Sequence, residues 1–453
     1  MPATTLAPYP EAAAVEDGRL LIGGCDAVAL AREVGTPAYV VAEDDLRARA
    51  RDFLAALRTH HDGPGEVLFA SKAFPCTAVL RVFAEEGLGC DVASGGELHL
   101  ALRAGFAPER IYLHGNAKSE AELRMAVEAG VGWIVLDNAD DIAKLGRVLP
   151  AGARRRVLLR VTPGVEAETH AAILTGHAAS KFGFEPERAA EVARAGWDHL
   201  DVQGFHFHIG SQLFDLEPYR EAVAALAPLP DMPVYSLGGG MAVPYSADDR
   251  APGPEASVAA MAEAARDVLG DGKRLVIEPG RSLVANAGVT LYTVQSVKQR
   301  AGGPRIVAVD GGMSDNLRPM LYDAVYDVRA ADRMEERGEP ATVVGKHCES
   351  GDVLVPRGAA HRGGGGRRAR HAGHRRLRPR DGEQLQRRPA PPGRLLLRRR
   401  RARRRAPRDL RGAACPRRLG SGSSATERWE RRSPSCSRRA PTRSSRSPGC
   451  APS

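Results

Sequence analysis

Residues 67–74 read Val-Leu-Phe-Ala-Ser-Lys-Ala-Phe, an apolar run that contains one lysine. The run predicts a buried strand that ends at Lys72, after which Pro75 opens a helix. A lysine in this place is unusual, because taking an ammonium out of water is costly. It can reach the surface or pair with a carboxylate. Alternatively, it can stand in a pocket and form a Schiff base with a carbonyl cofactor.

The pattern of a strand followed by a helix recurs along the chain. A strand over residues 36–41 and a helix over 43–58 come first, and eight buried-looking strands then alternate with helical stretches. Near-continuous apolar strands separated by helices predict a parallel sheet. Eight such units favour a (β/α)8, TIM-like barrel over an open doubly wound sheet. The eight strands are expected to begin near Val67, Gly89, Ile111, Trp133, Val157, Val202, Val234 and Leu275.

A different pattern follows Arg281. Residues 283–298 are β-branched and partly alternating with no helix after them, and residues 305–310 and 341–346 continue in the same style. This predicts a second, β-rich domain, a β-barrel or sandwich. The fold class is therefore α/β plus β. Four segments are expected, namely an N-terminal segment 1–40 that contributes to the β-domain, the barrel 41–283, the β-domain 284–356 and a tail 357–453.

The tail differs sharply from the body in charge. Residues 357–453 contain 30 arginines, no lysine and 5 acidic residues, a net charge of +25, whereas residues 1–356 carry −15. The tail shows neither a period of 2 nor one of 3.6, and it cannot bury enough apolar surface to offset chain entropy. The sequence thus predicts an acidic folded body joined to a disordered basic tail.

Targeting signals and metal-ligand spacing are both missing from the pattern. Residues 1–18 have no basic residue and no apolar run of signal-peptide length, and no stretch approaches the roughly 20 apolar residues of a membrane span. The seven cysteines are scattered without paired spacing. We therefore expect a cytoplasmic protein without contact to a membrane.

Two loops suit a phosphate group. Gly238-Gly239-Gly240 follows the seventh predicted barrel strand, and Glu278-Pro279-Gly280-Arg281 follows the eighth. Phosphate is often bound at these two positions of a barrel, and glycines let backbone N–H groups approach it closely. The pair of loops predicts a phosphorylated cofactor. Glu278 can pair with an arginine, or it can face a pyridine nitrogen and keep it protonated.

The sixth strand ends in Phe205-His206-Phe207-His208 and continues to Ser211. His206 and His208 share a face of the strand, so a metal pair is one alternative, but no third ligand lies nearby and no metal is expected. A histidine stacked on a cofactor ring, with Ser211 reaching a phosphate, fits the other loops better. His206 can also be a hydrogen-bonded core histidine.

Residues 347–352 read His-Cys-Glu-Ser-Gly-Asp. Buried cysteines are usually inert small hydrophobes. A cysteine flanked by His, Glu and Asp has a polar setting and can transfer protons.

Taken together, these motifs resemble the fold-type III pyridoxal-phosphate decarboxylases, and most closely the bacterial meso-diaminopimelate decarboxylases. The resemblance covers about residues 36–355. It rests on nine motifs in order: Phe69-Ala-Ser-Lys72, Cys90-Asp-Val-Ala-Ser-Gly-Gly-Glu97, His114-Gly-Asn, Lys181-Phe-Gly-Phe, His206-Phe-His-Ile-Gly-Ser211, Gly238-Gly-Gly, Glu278-Pro-Gly-Arg281, Arg318 with Tyr322, and Cys348-Glu-Ser-Gly-Asp352.

The resemblance implies pyridoxal 5'-phosphate as the cofactor and a role for each motif residue. Lys72 would carry the cofactor covalently, and Cys348 would return a proton after CO2 leaves. His208 would stack on the ring, and Glu278 would address its nitrogen. The implied cofactor-binding residues are Lys72, Asp91, His208, Ser211, Gly238, Gly239, Gly240, Glu278, Gly280 and Arg281. The implied substrate-binding residues are Arg281, Arg318 and Tyr322 for carboxylate and Glu349 for the distal amino group.

The implied partners are a small amino-acid substrate and a second copy of the chain, since in this family the cysteine loop comes from the neighbouring subunit of a homodimer. The implied reaction is decarboxylation of meso-2,6-diaminopimelate to L-lysine, the last step of lysine biosynthesis. Decarboxylation of ornithine, arginine or a carboxylated polyamine is the alternative, although Arg318 with Glu349 favours a substrate whose far end carries both charges.

The tail departs from the family, which continues after residue 352 with more strands, a Gly-Ala-Tyr motif and an Asn-Tyr-Asn segment. None of these occurs after Arg357, and the Arg, Gly, Pro, Ala and Ser vocabulary indicates a frameshift in a GC-rich gene. The β-domain is therefore expected to be incomplete and the chain impaired as an enzyme. The alternatives are a genuine nucleic-acid-binding tail and a catalytically inactive protein that binds the cofactor or a polyanion.

Overall fold

The computed structural model describes residues 8–165, 180–246, 248–299, 301–336 and 340–356. The predicted tail 357–453 and residues 1–7 of the predicted N-terminal segment lie outside this range. No helix in the described part of the chain is both long and apolar enough to cross a membrane.

The described chain begins with short strands. They are β1 (Ala13–Glu16), β2 (Arg19–Ile22) and β3 (Cys25–Asp26), followed by α1 (Ala27–Val34), β4 (Ala38–Val41) and α2 (Glu43–His60). β1, β2 and β3 form an antiparallel sheet of three strands. Asp26 caps α1 by accepting a hydrogen bond from the backbone of Ala29, as polar residues at this position commonly do.

Eight parallel strands then close into a barrel, which confirms the predicted fold class. The strands are β5 (Gly65–Ala70), β6 (Gly89–Val92), β7 (Ile111–Leu113), β8 (Trp133–Leu136), β9 (Arg155–Arg160), β10 (Leu200–His206), β11 (Val234–Ser236) and β12 (Arg274–Ile277). The last strand pairs with the first, with Ile277 opposite Val67. The helices around them are α3 (Thr77–Glu85), α4 (Gly95–Ala104), α5 (Glu120–Glu128), α6 (Ala139–Val148), α7 (Pro186–Arg194), α8 (Glu217–Ala224) and α9 (Pro254–Leu269).

The prediction for residues 67–76 was wrong in detail. β5 ends at Ala70, and Lys72 lies in a 3-10 turn over Ser71–Ala73, closed by the Phe74 N–H donating to Ser71 O. α3 begins at Thr77 and not at Pro75. Pro75 disfavours helical backbone at Phe74, so the chain turns before the helix starts. Lys72 is therefore exposed at the mouth of the barrel and is not buried in the strand.

The interior of the barrel is packed at its N-terminal end. Leu68, Tyr112, Trp133, Val135, Leu158, Val234 and Val276 form an inner apolar cluster. Below them the buried Glu66 accepts hydrogen bonds from Arg274 (2.7 Å), Tyr112 (3.0 Å) and Arg110 (3.1 Å). This end is closed, so the opening lies where the strands end, as in other barrels of this type.

The chain after the barrel is rich in strands. Its elements are α10 (Arg281–Val284), β13 (Gly288–Leu291), β14 (Val294–Gln299), β15 (Arg305–Val309), α11 (Arg318–Tyr322), β16 (Ala341–Val344) and β17 (Val353–Val355). β13 pairs with β4, and β14–β17 form a four-stranded sheet in sequence order. Residues 283–287, predicted as strand, are helical because Leu283 N–H already bonds Gly280 O in a tight turn.

The first strands pack against this second region. Leu20 N–H donates to Ala331 O and Met334 N–H donates to Gly18 O, both at 2.8 Å. A small apolar cluster of Leu20, Ile22, Ala27, Ala42, Leu291 and Met334 fills the contact. Residues from both ends of the described chain thus pack together and cover the barrel opening. The exact domain boundaries stay a prediction.

Candidate active site

A cavity of about 760 Å³ lies over the C-terminal end of the barrel. Barrel loops form one side of it, and residues 288–334 and 343–355 contribute to the other. Nine of the residues singled out from the sequence line it together. They are Lys72, His208, Ser211, Gly240, Glu278, Gly280, Arg281, Arg318 and Tyr322.

The glycine loop after β11 is shaped by close backbone approaches. Gly238 has a φ of 67° and Gly240 a φ of 106°, a region that favours glycine. A Cβ on Gly239 would lie 2.1 Å from the carbonyl oxygen of Glu278, so no other residue fits without a shift. The Gly239 N–H donates to His208 Nδ1 at 3.2 Å. The loop therefore holds the His208 ring beside the cavity and keeps bulky side chains out of the backbone cradle.

Glu278 is buried at the end of β12 and surrounded by donors. Ser236 Oγ donates to Oε1 at 2.6 Å, His206 Nε2 lies 3.2 Å from Oε2, and His114 Nε2 lies 3.4 Å from Oε1. Burial alone would raise the pKa of Glu278, but His206, His114 and the Ser236 hydroxyl hold it well below its ordinary value. Glu278 is thus a fixed negative charge at the cavity wall.

The two histidines on β10 do different things. His206 bonds Glu278, whereas His208 accepts from the glycine loop. Among the described residues, the group whose ligand atoms lie close enough to hold a metal is His114, His206 and Glu278, and not the His206–His208 pair considered from the sequence. Burial lowers the pKa of His114 and of His206, and the charge of the neighbouring Glu278 opposes this by raising both. His114 was assigned no role from the sequence, although the His114-Gly-Asn motif at the end of β7 marks its position.

Asp91 lies beneath the cavity and does not line it. The pKa of Asp91 is raised to about 7. Burial is the main cause, the Lys72 ammonium acts in the opposite direction, and the charge of Glu278 adds to the rise. His114 Nε2 is 3.7 Å from Asp91 Oδ1. A layer of buried polar groups therefore separates the apolar barrel interior from the open cavity.

The substrate side of the cavity contains two residues that the sequence did not single out. Arg281 Nη1 donates to the hydroxyl of Tyr245 at 2.9 Å, and Arg318 Nη1 donates to that of Tyr326 at 2.6 Å. Both tyrosines line the cavity. No sequence signal marks them, because Tyr245 follows the glycine loop outside any predicted element and Tyr326 follows a helix that was not predicted.

Cys348 and Glu349 do not line the cavity of their own chain. Both are exposed on the loop between β16 and β17, so the inert buried cysteine considered from the sequence is excluded. Asp352 organises this loop by accepting hydrogen bonds from the backbone of Met313 (2.6 Å) and His347 (2.8 Å). That a neighbouring subunit uses Cys348 and Glu349 stays a prediction.

Comparison with known proteins places the chain among enzymes. The family model for the pyridoxal-binding domain of pyridoxal-dependent decarboxylases matches residues 43–285. The diaminopimelate decarboxylase of Bacillus subtilis is 43% identical over 365 residues, which cover 75% of this chain and 82% of that protein. The diaminopimelate decarboxylase of Mycobacterium leprae is 42% identical over 369 residues, which cover 75% of this chain and 77% of that protein.

Solved structures agree in fold. A diaminopimelate decarboxylase from M. jannaschii in complex with L-lysine superposes with a TM-score of 0.70 and 30% identity, covering 76% of this chain and 83% of that one. The Helicobacter pylori enzyme complexed with L-lysine gives 0.66 and 29%, covering 73% and 83%. A lysine/ornithine decarboxylase from Vibrio vulnificus, at 23% identity and a TM-score of 0.60 over 73% of this chain and 86% of that one, shares the fold.

Proposed function

The chain belongs to the diaminopimelate decarboxylases of the pyridoxal-dependent decarboxylase family, and we propose on that premise that it converts meso-2,6-diaminopimelate into L-lysine and CO2. One observation carries the proposal. A single cavity joins a lysine, a buried carboxylate and a glycine cradle on the barrel to two arginines, one of them from the second region. The first set suits an aromatic phosphorylated cofactor, and the second suits a substrate with a carboxylate at its far end.

The residues present fit pyridoxal 5'-phosphate. The backbone cradle at Gly238–Gly240, with Ser211, Gly280 and Arg281, would hold the phosphate, and His208 would lie against the ring. Glu278 stays ionised in its buried setting, which suits a carboxylate that faces a protonated ring nitrogen. Lys72 would bind the cofactor covalently. When bound, the cofactor withdraws the electron pair that remains when CO2 departs.

The remaining residues would bind substrate and move a proton. Arg281, Arg318 and Tyr322 would hold the distal carboxylate, and Glu349 would hold the distal ammonium. The carbon that loses CO2 must gain one proton to give lysine, and Cys348 would donate it. Because Cys348 and Glu349 do not line the cavity of their own chain, this assignment requires a homodimer in which each loop reaches the other subunit. The amino-acid substrate and the cofactor suit a protein of the cytoplasm.

The substrate class follows from charge. Two arginines at one wall favour a substrate with a carboxylate at the end remote from the reacting carbon. Ornithine, arginine and carboxylated polyamines lack that distal carboxylate or pair it with a different spacing of charges, so they should be poor substrates.

Covalent labelling tests the assignment of the cofactor lysine. Borohydride reduction of the purified, cofactor-loaded chain should fix the cofactor to Lys72, as read by peptide mass spectrometry. Lys118 is the matched control, because its ammonium is buried and bonded to Asp141 Oδ2 and Gly115 O, both at 2.6 Å. A label on Lys118 or Lys181 would show that the site is wrong. Formation of lysine and CO2 from meso-diaminopimelate, and weak turnover of ornithine, test the reaction itself.

A further inference from the structure

Two arginines of the cavity share one tyrosine ring. The guanidinium carbon of Arg318 is 4.8 Å from the ring centre of Tyr245, and that of Arg281 is 5.9 Å from it. Tyr326 stands edge-on to Tyr245 with ring centres 5.0 Å apart, and Arg318 lies 5.8 Å from its ring. The four side chains therefore form one packed group, in which Tyr245 comes from the loop after β11 and Tyr326 from the segment after α11.

The group holds two cations without neutralising them. Among the described residues, the side-chain partners of both guanidiniums are phenol hydroxyls and rings, and not carboxylates. Burial, and then the neighbouring Tyr245, raise the pKa of Tyr326, so its phenol is neutral. An aspartate in either place would hold an arginine equally well but would cancel its charge. Tyrosine fixes the geometry and leaves the charge available.

Each of the two guanidiniums makes one side-chain hydrogen bond among the described residues, through its Nη1. The Nε of Arg318 is buried and has no hydrogen-bond partner among the residues that the structure describes. Leaving a buried N–H of a charged group without an acceptor is costly. The Nη2 groups of both arginines also have no partner among the described residues, so the pair retains donors for a ligand. A carboxylate is the acceptor that matches a guanidinium fork.

We propose that Tyr245 and Tyr326 are positioning residues that hold Arg281 and Arg318 as a ready-made receptor for the distal carboxylate and thereby set the selectivity for a dicarboxylic substrate. The inference rests on the proposed function for the identity of that substrate. The two tyrosines contact the arginines and need not touch the reacting carbon. Their contribution is to fix two long side chains in advance, so that less conformational entropy is lost when the carboxylate binds.

Two conservative variants separate positioning from packing. Tyr245→Phe removes the hydroxyl that receives the Arg281 hydrogen bond but keeps the ring beside Arg318. Tyr326→Phe removes the hydroxyl that receives the Arg318 hydrogen bond. Tyr235→Phe is the matched control, because this tyrosine lies on β11, outside the cavity, and its hydroxyl contacts Asp231 and the backbone of Met232. Urea unfolding of each variant reports whether the fold is intact.

The binding probes are pimelate, a seven-carbon dicarboxylate without amines, and 1,5-diaminopentane, a diamine that lacks the distal carboxylate. Calorimetric titration of the full-length, cofactor-loaded chain should show pimelate binding weakened about tenfold in each cavity variant, the loss expected for one hydrogen bond to a charged group. Binding of 1,5-diaminopentane should change less than about twofold, and Tyr235→Phe should leave both ligands unaffected. If turnover is measurable, KM for meso-diaminopimelate should rise while kcat changes little.

Three results would overturn the inference: a parent protein that does not bind pimelate, variants that bind pimelate as the parent does, or equal weakening of pimelate and 1,5-diaminopentane. The outcome is separable from that of the proposed function. A chain whose pimelate binding depends on these tyrosines but which never forms lysine would support the positioning role and contradict the proposed reaction. A chain that forms lysine while the variants bind pimelate normally would support the proposed reaction and contradict the positioning role of the tyrosines.

Discussion

The barrel and the four-stranded sheet β14–β17 differ in how they treat the edges of their sheets. The barrel has no free edge, since β12 pairs with β5, and its strands are buried on both faces. In the sheet, all six residues of the edge strand β14 are exposed, including Val294 and Val297. A closed sheet satisfies its own backbone, whereas an open edge invites another chain.

The difference matters for the site, because the cavity depends on both regions. The groups suited to a cofactor lie on the self-contained barrel, while Arg318, Tyr322 and Tyr326 lie on the segment that joins the strands of the open sheet. On the same segment, the side chains of Leu317, Met320 and Leu321 are exposed. Cofactor binding should therefore tolerate damage to the second region much better than substrate binding does.

The largest contrast concerns stability. Leu158→Ala inside the barrel should cost about 2–5 kcal/mol, because Leu158 is fully buried and its loss leaves a cavity. Val297→Ser on β14 should change stability by less than about 0.5 kcal/mol, because its side chain is half exposed. Urea unfolding midpoints give both values. A comparable cost for Val297→Ser would show that β14 is covered in solution, and the contrast would fail.

The second region should limit activity. We expect limited proteolysis to cut rapidly at arginines after residue 357 and to leave a fragment that contains the barrel. In an activity assay, the chain should produce little lysine. Replacing residues 357–453 with a family-like sequence should raise activity on the order of a hundredfold, the effect of regaining about 1 Å in positioning. A protease-resistant tail, or full activity of the chain as it stands, would contradict this view and the frameshift hypothesis.

Arg318→Met separates the two halves of the cavity. It removes one charge of the carboxylate receptor and leaves the barrel groups untouched, so kcat/KM for meso-diaminopimelate should fall about ten- to a hundredfold while cofactor content stays constant. Steady-state assays with a cofactor absorbance measurement test this. A fall in cofactor content of the same size would mean that the second region also supports the cofactor.

The smallest effect concerns pH. The pKa of Asp91 is raised to about 7, chiefly by burial, so folding takes up a proton between about pH 4 and pH 7. Stability is therefore greatest at the acid side of this window and falls as pH rises through 7. Asp91→Asn cannot ionise and should lose less stability than the parent between pH 5 and pH 8. Equal losses, measured by urea unfolding, would place the proton on another group.

Much of the site could be predicted from sequence because local pattern and strand-end position are properties of short segments. Strand after strand of the barrel follows near-continuous apolar runs, and the residues that end β5, β10, β11 and β12 must meet at one rim once the barrel closes. Lys72, His208, the glycine loop and Glu278 were all found in this way. The error at Lys72 was small and local, since Pro75 imposes a turn that the apolar run does not reveal.

Tertiary structure alone decided which polar groups become partners. Ser236 and His114 lie 42 and 164 residues before Glu278 in the sequence but contact it in the fold. Tyr245 likewise packs against Tyr326, which lies 81 residues further along the chain. Such pairs depend on where whole segments cross, and no periodicity in either segment encodes the crossing. The apolar runs and the strand-end positions were enough to predict the barrel and which side chains meet at its rim. The low pKa of Glu278, the place of Cys348 outside the cavity of its own chain and the hydrogen bonds between the tyrosines and the arginines depend on the fold.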